Sequence, residues 1–202
     1  MTELIERNRA AYDLIAADFD ARNPEVPATY RALADDFRAR VDGPVLDLGC
    51  GPGRDLAFLA ELGLTGVGMD LSAGMLARAR ARVAAPLVQG DLLRLPIRSA
   101  TLGGVWCSAS LLHLPKADAP AALAGVRRVL RPGGPLLLSL KEGEGEGWER
   151  WPGEAVDRYF ARYRLPEVEA LLAGAGLVPL RRERDTSPVG ESWLAVLAVA
   201  AG

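Results

Sequence analysis

Val45 to Asp55 reads VLDLGCGPGRD. A short apolar run passes directly into a glycine-rich turn, and an amphipathic pattern over Asp55–Leu62 follows. That order predicts a buried strand, a tight turn and a helix. Gly49, Gly51 and Gly53 let the backbone turn sharply and let a ligand approach bare amide groups. The spacing is G-x-G-x-G, which is neither the G-x-G-x-x-G of dinucleotide folds nor the G-x-x-x-x-G-K-[ST] of a phosphate loop. No lysine stands near to meet a phosphate. Asp47 instead precedes the turn, where a carboxylate repels a polyphosphate and suits a ligand carrying an ammonium group.

Working outward, further apolar runs occupy Thr65–Met69, Pro86–Gln89, Thr101–Cys107 and Pro135–Leu140. Helical patterns over Ser72–Val83 and Ala117–Leu130 lie between them. Runs with few polar interruptions belong to parallel strands covered on both faces, and strands alternating with helices imply a parallel sheet. After Glu142–Gly147 (EGEGEG), expected to be an exposed mobile loop, Val156, Tyr159, Phe160 and Tyr163 fit a short helix. Another helix is expected over Pro166–Ala175. Two strands, Leu177–Arg184 and Ser192–Val199, close the chain. Their connection, Asp185–Glu191 with Pro188 and Gly190, is too short for a crossover, so they form an antiparallel hairpin. The expectation is an α/β, Rossmann-like fold: a seven-stranded, mostly parallel sheet with helices on both faces and a C-terminal antiparallel hairpin. Residues 1–42, two amphipathic helices with Thr2 as a plausible N-cap, would form a helical cap on a domain spanning 43–202.

The strand ends carry the next signal. The second run ends in Met69-Asp70, followed by Leu71, and the third in Gly90-Asp91-Leu92. An acid at the second strand's end can accept both hydroxyls of a ribose. A carboxylate at the third can accept the exocyclic amine of an adenine while the Leu92 amide donates to the ring. The implied ligand has an amine, a ribose and an adenine, and no phosphate. Asp70 is also compatible with a helix cap ahead of Ser72, and Asp91 with an ordinary turn acid.

Composition narrows the classes. The chain has 202 residues, which suits one domain. With 24 basic and 26 acidic residues the net charge is −2, so no basic field exists to hold a nucleic-acid backbone. Two cysteines, Cys50 and Cys107, make no disulfide framework, and with one histidine no metal site is expected. The first residues show no apolar signal segment, and no apolar stretch approaches the ~20 residues of a membrane span. A cytoplasmic protein with no membrane association is expected.

VLDLGCGPG, the downstream GVGMDLS and QGDLLRLP, and GGVWCSASLLHLP together resemble the class I S-adenosylmethionine-dependent methyltransferases. The likeness is to the small-molecule branch, of the ubiquinone-biosynthesis type. VRRVLRPGGPLLLSLKEGEG resembles that branch's fifth strand. The resemblance implies strand order 3-2-1-4-5-7-6 and S-adenosyl-L-methionine as cofactor. It puts Asp47, Gly49, Cys50 and Gly51 around the methionine moiety, Asp70 with Leu71 at the ribose, and Asp91 with Leu92 at the adenine. It also assigns the backbone carbonyl of Cys107 to the ligand's amine, and Tyr12 to an N-terminal helix that closes over the cofactor.

The acceptor side is less explicit. The fourth strand lacks the [DNS]-P-P-[YFW] and Pro-Cys motifs of nucleic-acid methyltransferases, so a small-molecule methyl acceptor is expected. His113 is the candidate general base, with core packing as the alternative. Trp148 and Trp151 are candidates for a lid over the acceptor. A monomer or a homodimer fits equally. A non-catalytic adenosyl-ligand binding protein, or scaffold, with the same fold stays open as the alternative function.

Overall fold

The structure, a computed structural model, describes residues 3–153, 156–187 and 190–202. Thr2 and Pro188, named above as a cap and a turn residue, lie outside the described residues.

β1 (Val45–Leu48) is buried at every position. It lies between β2 (Gly66–Asp70) and β4 (Gly104–Ser108), parallel to both. β3 (Leu87–Gln89) pairs with β2, and β5 (Pro135–Lys141) with β4, again in parallel. The last strands, β8 (Leu177–Thr186) and β9 (Ser192–Ala200), form the expected antiparallel hairpin, with β9 antiparallel to β5. The sheet order is β3-β2-β1-β4-β5-β9-β8, which is the expected order once a separate two-stranded sheet is counted.

Side chains alternate across this sheet and bury both of its faces. Val105 and Cys107 of β4 join Leu136 and Leu138 against Leu123 and Val126 of α5 (Ala119–Val129). Trp106, between them, turns to the other face and packs with Leu137, Tyr30, Leu33 and Phe37. The last three belong to α2 (Ala28–Arg38). Each such large apolar side chain stabilises the fold by roughly 1.5–3 kcal/mol when fully buried. Trp106 also donates its Nε1–H to Asp55 at 3.0 Å, which satisfies its one polar group inside the core. Asp55 lies in α3 (Arg54–Glu61).

α1 (Glu3–Arg22) docks across the opening of the sheet through polar side chains. Asp13 accepts from Ser72 Oγ at 2.6 Å and from the Gly74 amide at 2.9 Å, at the start of α4 (Ala73–Arg82). Asp20 binds Arg78 and Arg82 farther along the same helix.

Two local expectations fail, and together. Asp157–Ala161 is a strand, β7, and not a helix. Its partner is β6 (Glu146–Arg150), so the Glu-Gly segment expected to be a mobile loop runs into an antiparallel ladder, with Trp148 opposite Tyr159. The spacing of Val156, Tyr159, Phe160 and Tyr163 satisfied a helical period by coincidence. Aromatic-rich segments favour a half-buried pleated surface when a partner strand is present. α6 (Leu165–Gly174) follows β7 and packs against α5 and β8.

Candidate functional site

The carboxyl edge of β1, β2, β3 and β4 opens into a cavity of about 1020 Å³. That is near the upper end of the ~300–1,000 Å³ typical of ligand sites. Tyr12, Asp47, Gly49, Cys50, Gly51, Asp70, Leu71, Asp91, Leu92 and His113 all line it. Cys107 does not: its side chain is buried in the core beneath, and Ser108, Ala109 and Ser110 form the wall there.

The glycine loop is fixed by its own backbone. Gly49 and Cys50 donate their amides to the Met69 carbonyl at 2.7 and 3.0 Å. Gly51 donates to Asp70 Oδ2 at 2.9 Å, and Ser72 to Asp70 Oδ1 at 2.8 Å. One carboxylate thus ties the loop after β1 to the start of α4, with lone pairs left for two further hydroxyl donors. Burial pushes the Asp70 carboxyl above its usual range, against the pull of the Ser72, Gly51 and Leu71 amides. Asp91 accepts the Leu93 amide at 2.9 Å, which orients its carboxylate at the rim.

Asp47 differs from both. It is 1% exposed, and its Oδ2 has no hydrogen-bond partner. Burial drives its pKa well above the ordinary range, and the nearby Asp55 charge adds to this against Arg54. Arg54 is held by Asp55 at 2.6 Å, so no cation is hydrogen-bonded to Asp47 Oδ2. Cys50 and Cys107 are free, buried thiols. Burial pushes both up, Cys107 to about 11, so neither is a thiolate at neutral pH.

His113 ends a 3-10 turn, Leu111–His113, that follows β4. Its Nδ1 lies 2.8 Å from the Tyr159 carbonyl and its Nε2 lies 2.8 Å from Tyr12 Oη. A carbonyl only accepts, so Nδ1 carries the proton and Nε2 accepts a hydrogen bond from the Tyr12 hydroxyl. Burial lowers the imidazole pKa to about 3, against the Tyr159 carbonyl and with help from the Arg158 and Lys141 charges. Both nitrogens are therefore engaged in the neutral ring. The sign of the linkage follows. A histidine with a depressed folded pKa contributes stability that is present above its ordinary pKa of 6.5 and is lost as pH falls toward about 3. His113→Gln is expected to flatten the fall of melting temperature with pH across that window, measured by thermal unfolding; an unchanged slope would mean the ring is free to protonate in place.

Apart from Trp151, the far end of the cavity was not legible in the sequence. Lys141, only 4% exposed, donates to Glu149 at 2.9 Å and Glu191 at 2.6 Å. Arg158 comes from β7, and Trp151 packs against Phe19 of α1 with its Nε1–H on Asp18. Trp151 is a buried wall of the cavity; Trp148 is more exposed, lies under Arg7, and is not in the lining. Reading β7 as a helix concealed the face on which Arg158 lies. Ala109, with φ +50°, turns the chain after β4, and its amide bonds to Ser139 Oγ at 3.0 Å.

Residues 45–134 match the model of the methyltransferase domain family. A malonyl-[acyl-carrier protein] O-methyltransferase of Serratia marcescens is 39% identical over 186 residues, covering 77% of this chain and 72% of that protein. A 37.1 kDa protein of a Streptomyces fradiae transposon is 36% identical over 143 residues, 67% of this chain, but this chain spans only 41% of its length. Other curated relatives are likewise matched over about half their length. Among solved structures, the 1,6-didemethyltoxoflavin-N1-methyltransferase of Burkholderia thailandensis, bound to its substrate and S-adenosylhomocysteine, superposes with a TM-score of 0.76 at 25% identity. The superposition covers 96% of this chain and 87% of that one. A relative 39% identical and covered over 72% of its length, together with the matching domain family and this sheet order, shows that the chain belongs to the class I S-adenosylmethionine-dependent methyltransferases.

Proposed function

We propose that this protein transfers a methyl group from S-adenosyl-L-methionine to a small-molecule acceptor. The observation that carries the reading is the buried, partnerless Oδ2 of Asp47 at the head of a glycine loop whose Gly51 faces open space. That arrangement fits an ammonium group lying over the loop. Asp70 would take the ribose hydroxyls, and Asp91 with the Leu92 amide the adenine. The donor supplies a methyl already activated on a sulfonium; holding the acceptor in line with it at ~3 Å can contribute ~7–11 kcal/mol. Tyr12 and Phe19 of α1 and the buried Trp151 wall the space beyond β4, where an acceptor would sit shielded from water. The net charge of −2 speaks against a nucleic-acid acceptor. No helix among the described residues is long and apolar enough to cross a membrane, and two free thiols fit a reducing compartment.

Calorimetry with S-adenosylhomocysteine tests the cofactor assignment. Asp70→Ala should weaken binding about 10- to 100-fold, because a charge-assisted hydrogen bond contributes roughly 1.5–3 kcal/mol. Asp91→Asn should weaken it less, since an amide oxygen still accepts from the adenine amine. Wild-type affinity in Asp70→Ala would remove the ribose from that strand end, and the reverse order would displace the adenine from Asp91. Methyl-labelled donor incubated with a metabolite extract tests catalysis, and cofactor binding without any labelled product would favour the non-catalytic alternative. The Serratia relative is named for transfer to oxygen and the Burkholderia enzyme for transfer to nitrogen, so likeness does not set the acceptor atom.

A further inference from the structure

Arg158 lies in the cavity wall. Its guanidinium carbon is 4.3 Å from the centre of the Trp151 ring, 4.8 Å from Phe160 and 5.7 Å from Tyr12. Its hydrogen bond is from Nη1 to Tyr12 Oη at 3.2 Å, and its buried Nε has no partner. Among the described residues, no carboxylate lies within ion-pair distance of it. Glu149, directly opposite across the β6–β7 ladder, is taken by Lys141 and by Arg162 at 2.6 Å. An arginine held between aromatic rings, with most of its five N–H donors unused, is a preformed receptor for a planar oxyanion.

Among the described residues, the groups around Arg158 that could take up a proton are engaged by other partners. The Nε2 of His113 is occupied by Tyr12, and the ring stays neutral down to about pH 3. Burial pushes the Tyr12 phenol up, away from phenolate. Glu149 and Glu191 are bound by Lys141, and Asp185, which also lines the cavity, accepts the Thr186 amide at 2.8 Å. An alcohol or a protonated amine would need a base at this end; an ionised acid needs none.

We propose that the methyl acceptor is a small carboxylic acid in its ionised form, bound by the Arg158 guanidinium, and that the product is its methyl ester. This rests on the methyl-transfer reading above. A carboxylate oxygen forms the new O–CH3 bond with one of its lone pairs. The S–CH3 bond breaks with its electron pair left on sulfur, so the sulfonium becomes a neutral thioether. The carboxylate becomes a neutral ester, and no proton moves. Arg158 holds the second carboxylate oxygen and thereby the plane of the group. It hydrogen-bonds Tyr12 in the wall of the same cavity that Asp70 and Asp91 line.

The test uses the full chain as wild type, Arg158→Gln and Arg158→Lys. Each is titrated with S-adenosylhomocysteine by calorimetry, then incubated with methyl-labelled S-adenosylmethionine and an acid-extracted metabolite pool. Mild alkali releases a methyl ester as volatile labelled methanol and leaves methyl ethers, methylamines, C-methyl groups and phosphate methyl esters intact. The expected result is volatile label from the wild type, a loss of at least tenfold in Arg158→Gln, and partial retention in Arg158→Lys, which keeps the charge without the fork. S-adenosylhomocysteine affinity should stay within about twofold in both variants, which also reports that they fold. Base-stable label, or no label from a wild type that binds S-adenosylhomocysteine, overturns the carboxylate acceptor. A tenfold loss of S-adenosylhomocysteine affinity in Arg158→Gln overturns it differently, by placing Arg158 on the cofactor's own carboxylate. A wild type that binds no S-adenosylhomocysteine sinks the methyl-transfer reading instead.

Discussion

Asp47→Asn is expected to raise the melting temperature of the ligand-free protein and, in the same variant, to weaken S-adenosylhomocysteine binding by roughly 10- to 100-fold. Both effects have one cause. Asp47 is buried, its Oδ2 has no partner, and its carboxyl is pushed well above the usual range by burial and by Asp55. A carboxyl with a raised folded pKa stabilises the folded state fully below its unfolded pKa and loses that contribution as pH rises through the folded value. At neutral pH the empty protein therefore holds Asp47 at a disadvantage that Asn, neutral at every pH and nearly the same size, does not carry. A gain of about 1 kcal/mol would appear as ~2–4 °C for a chain of this length. On the proposed placement the ammonium of the ligand would relieve the wild-type acid, so the increase in melting temperature on adding ligand should be large in wild type and small in the variant. Equal ligand-induced increases in the two proteins would show that no ammonium lies over Asp47. The trade of stability for binding is common at sites built to receive charge.

Much of this is legible in the sequence. β1, the glycine loop and α3 follow from eleven consecutive residues, because a strand covered on both faces must be apolar and the turn after it must be glycine-rich. The acids at the ends of β2 and β3 stood out because each ends an apolar run. β6 and β7 were hidden for a physical reason: neither is a sheet-core strand. Glu146, Trp148 and Arg150 of β6 point outward, and the strand is held by its partner and by α1, through contacts such as Arg7 over Trp148. Tertiary pairing decides such segments, and periodicity does not report it. The same concealment cost Arg158, whose importance is a matter of what it lacks. An unpaired guanidinium is visible only when every nearby carboxylate has been assigned elsewhere. For His113 the sequence offered the right residue in the right loop, but the Tyr12 and Tyr159 contacts that engage both nitrogens come from segments about a hundred residues before it and about fifty after it.

The two loop glycines should separate folding from binding. Gly49 has φ +77°, where an L side chain costs about 1–2 kcal/mol, and a Cβ there would sit 2.2 Å from Ser110 Cβ. Ser110 has little freedom to retreat, because its Oγ donates to the Leu48 carbonyl at 2.6 Å and lies 3.1 Å from Cys107 Sγ. Overpacking of that kind adds roughly 1–3 kcal/mol. Gly49→Ala should therefore lose ~2–5 kcal/mol, a drop on the order of 5–20 °C in melting temperature. Gly51 has φ +52° but a Cβ there meets nothing within 4 Å, so Gly51→Ala carries only the backbone cost of about 1–2 kcal/mol and should stay folded. Its methyl would stand in the cavity where the methionine moiety is proposed to lie, so S-adenosylhomocysteine affinity should fall more than tenfold, ~1.4 kcal/mol. Thermal unfolding and calorimetry on both variants decide the matter. A Gly51→Ala protein that melts as low as Gly49→Ala would mean the open space beside Gly51 is part of the packed core; one that binds like wild type would mean the ligand does not cross the loop at that point. The contrast is informative because sequence makes the two residues equivalent: only the neighbour across β4 tells a glycine kept for the protein's own packing from one kept for its ligand.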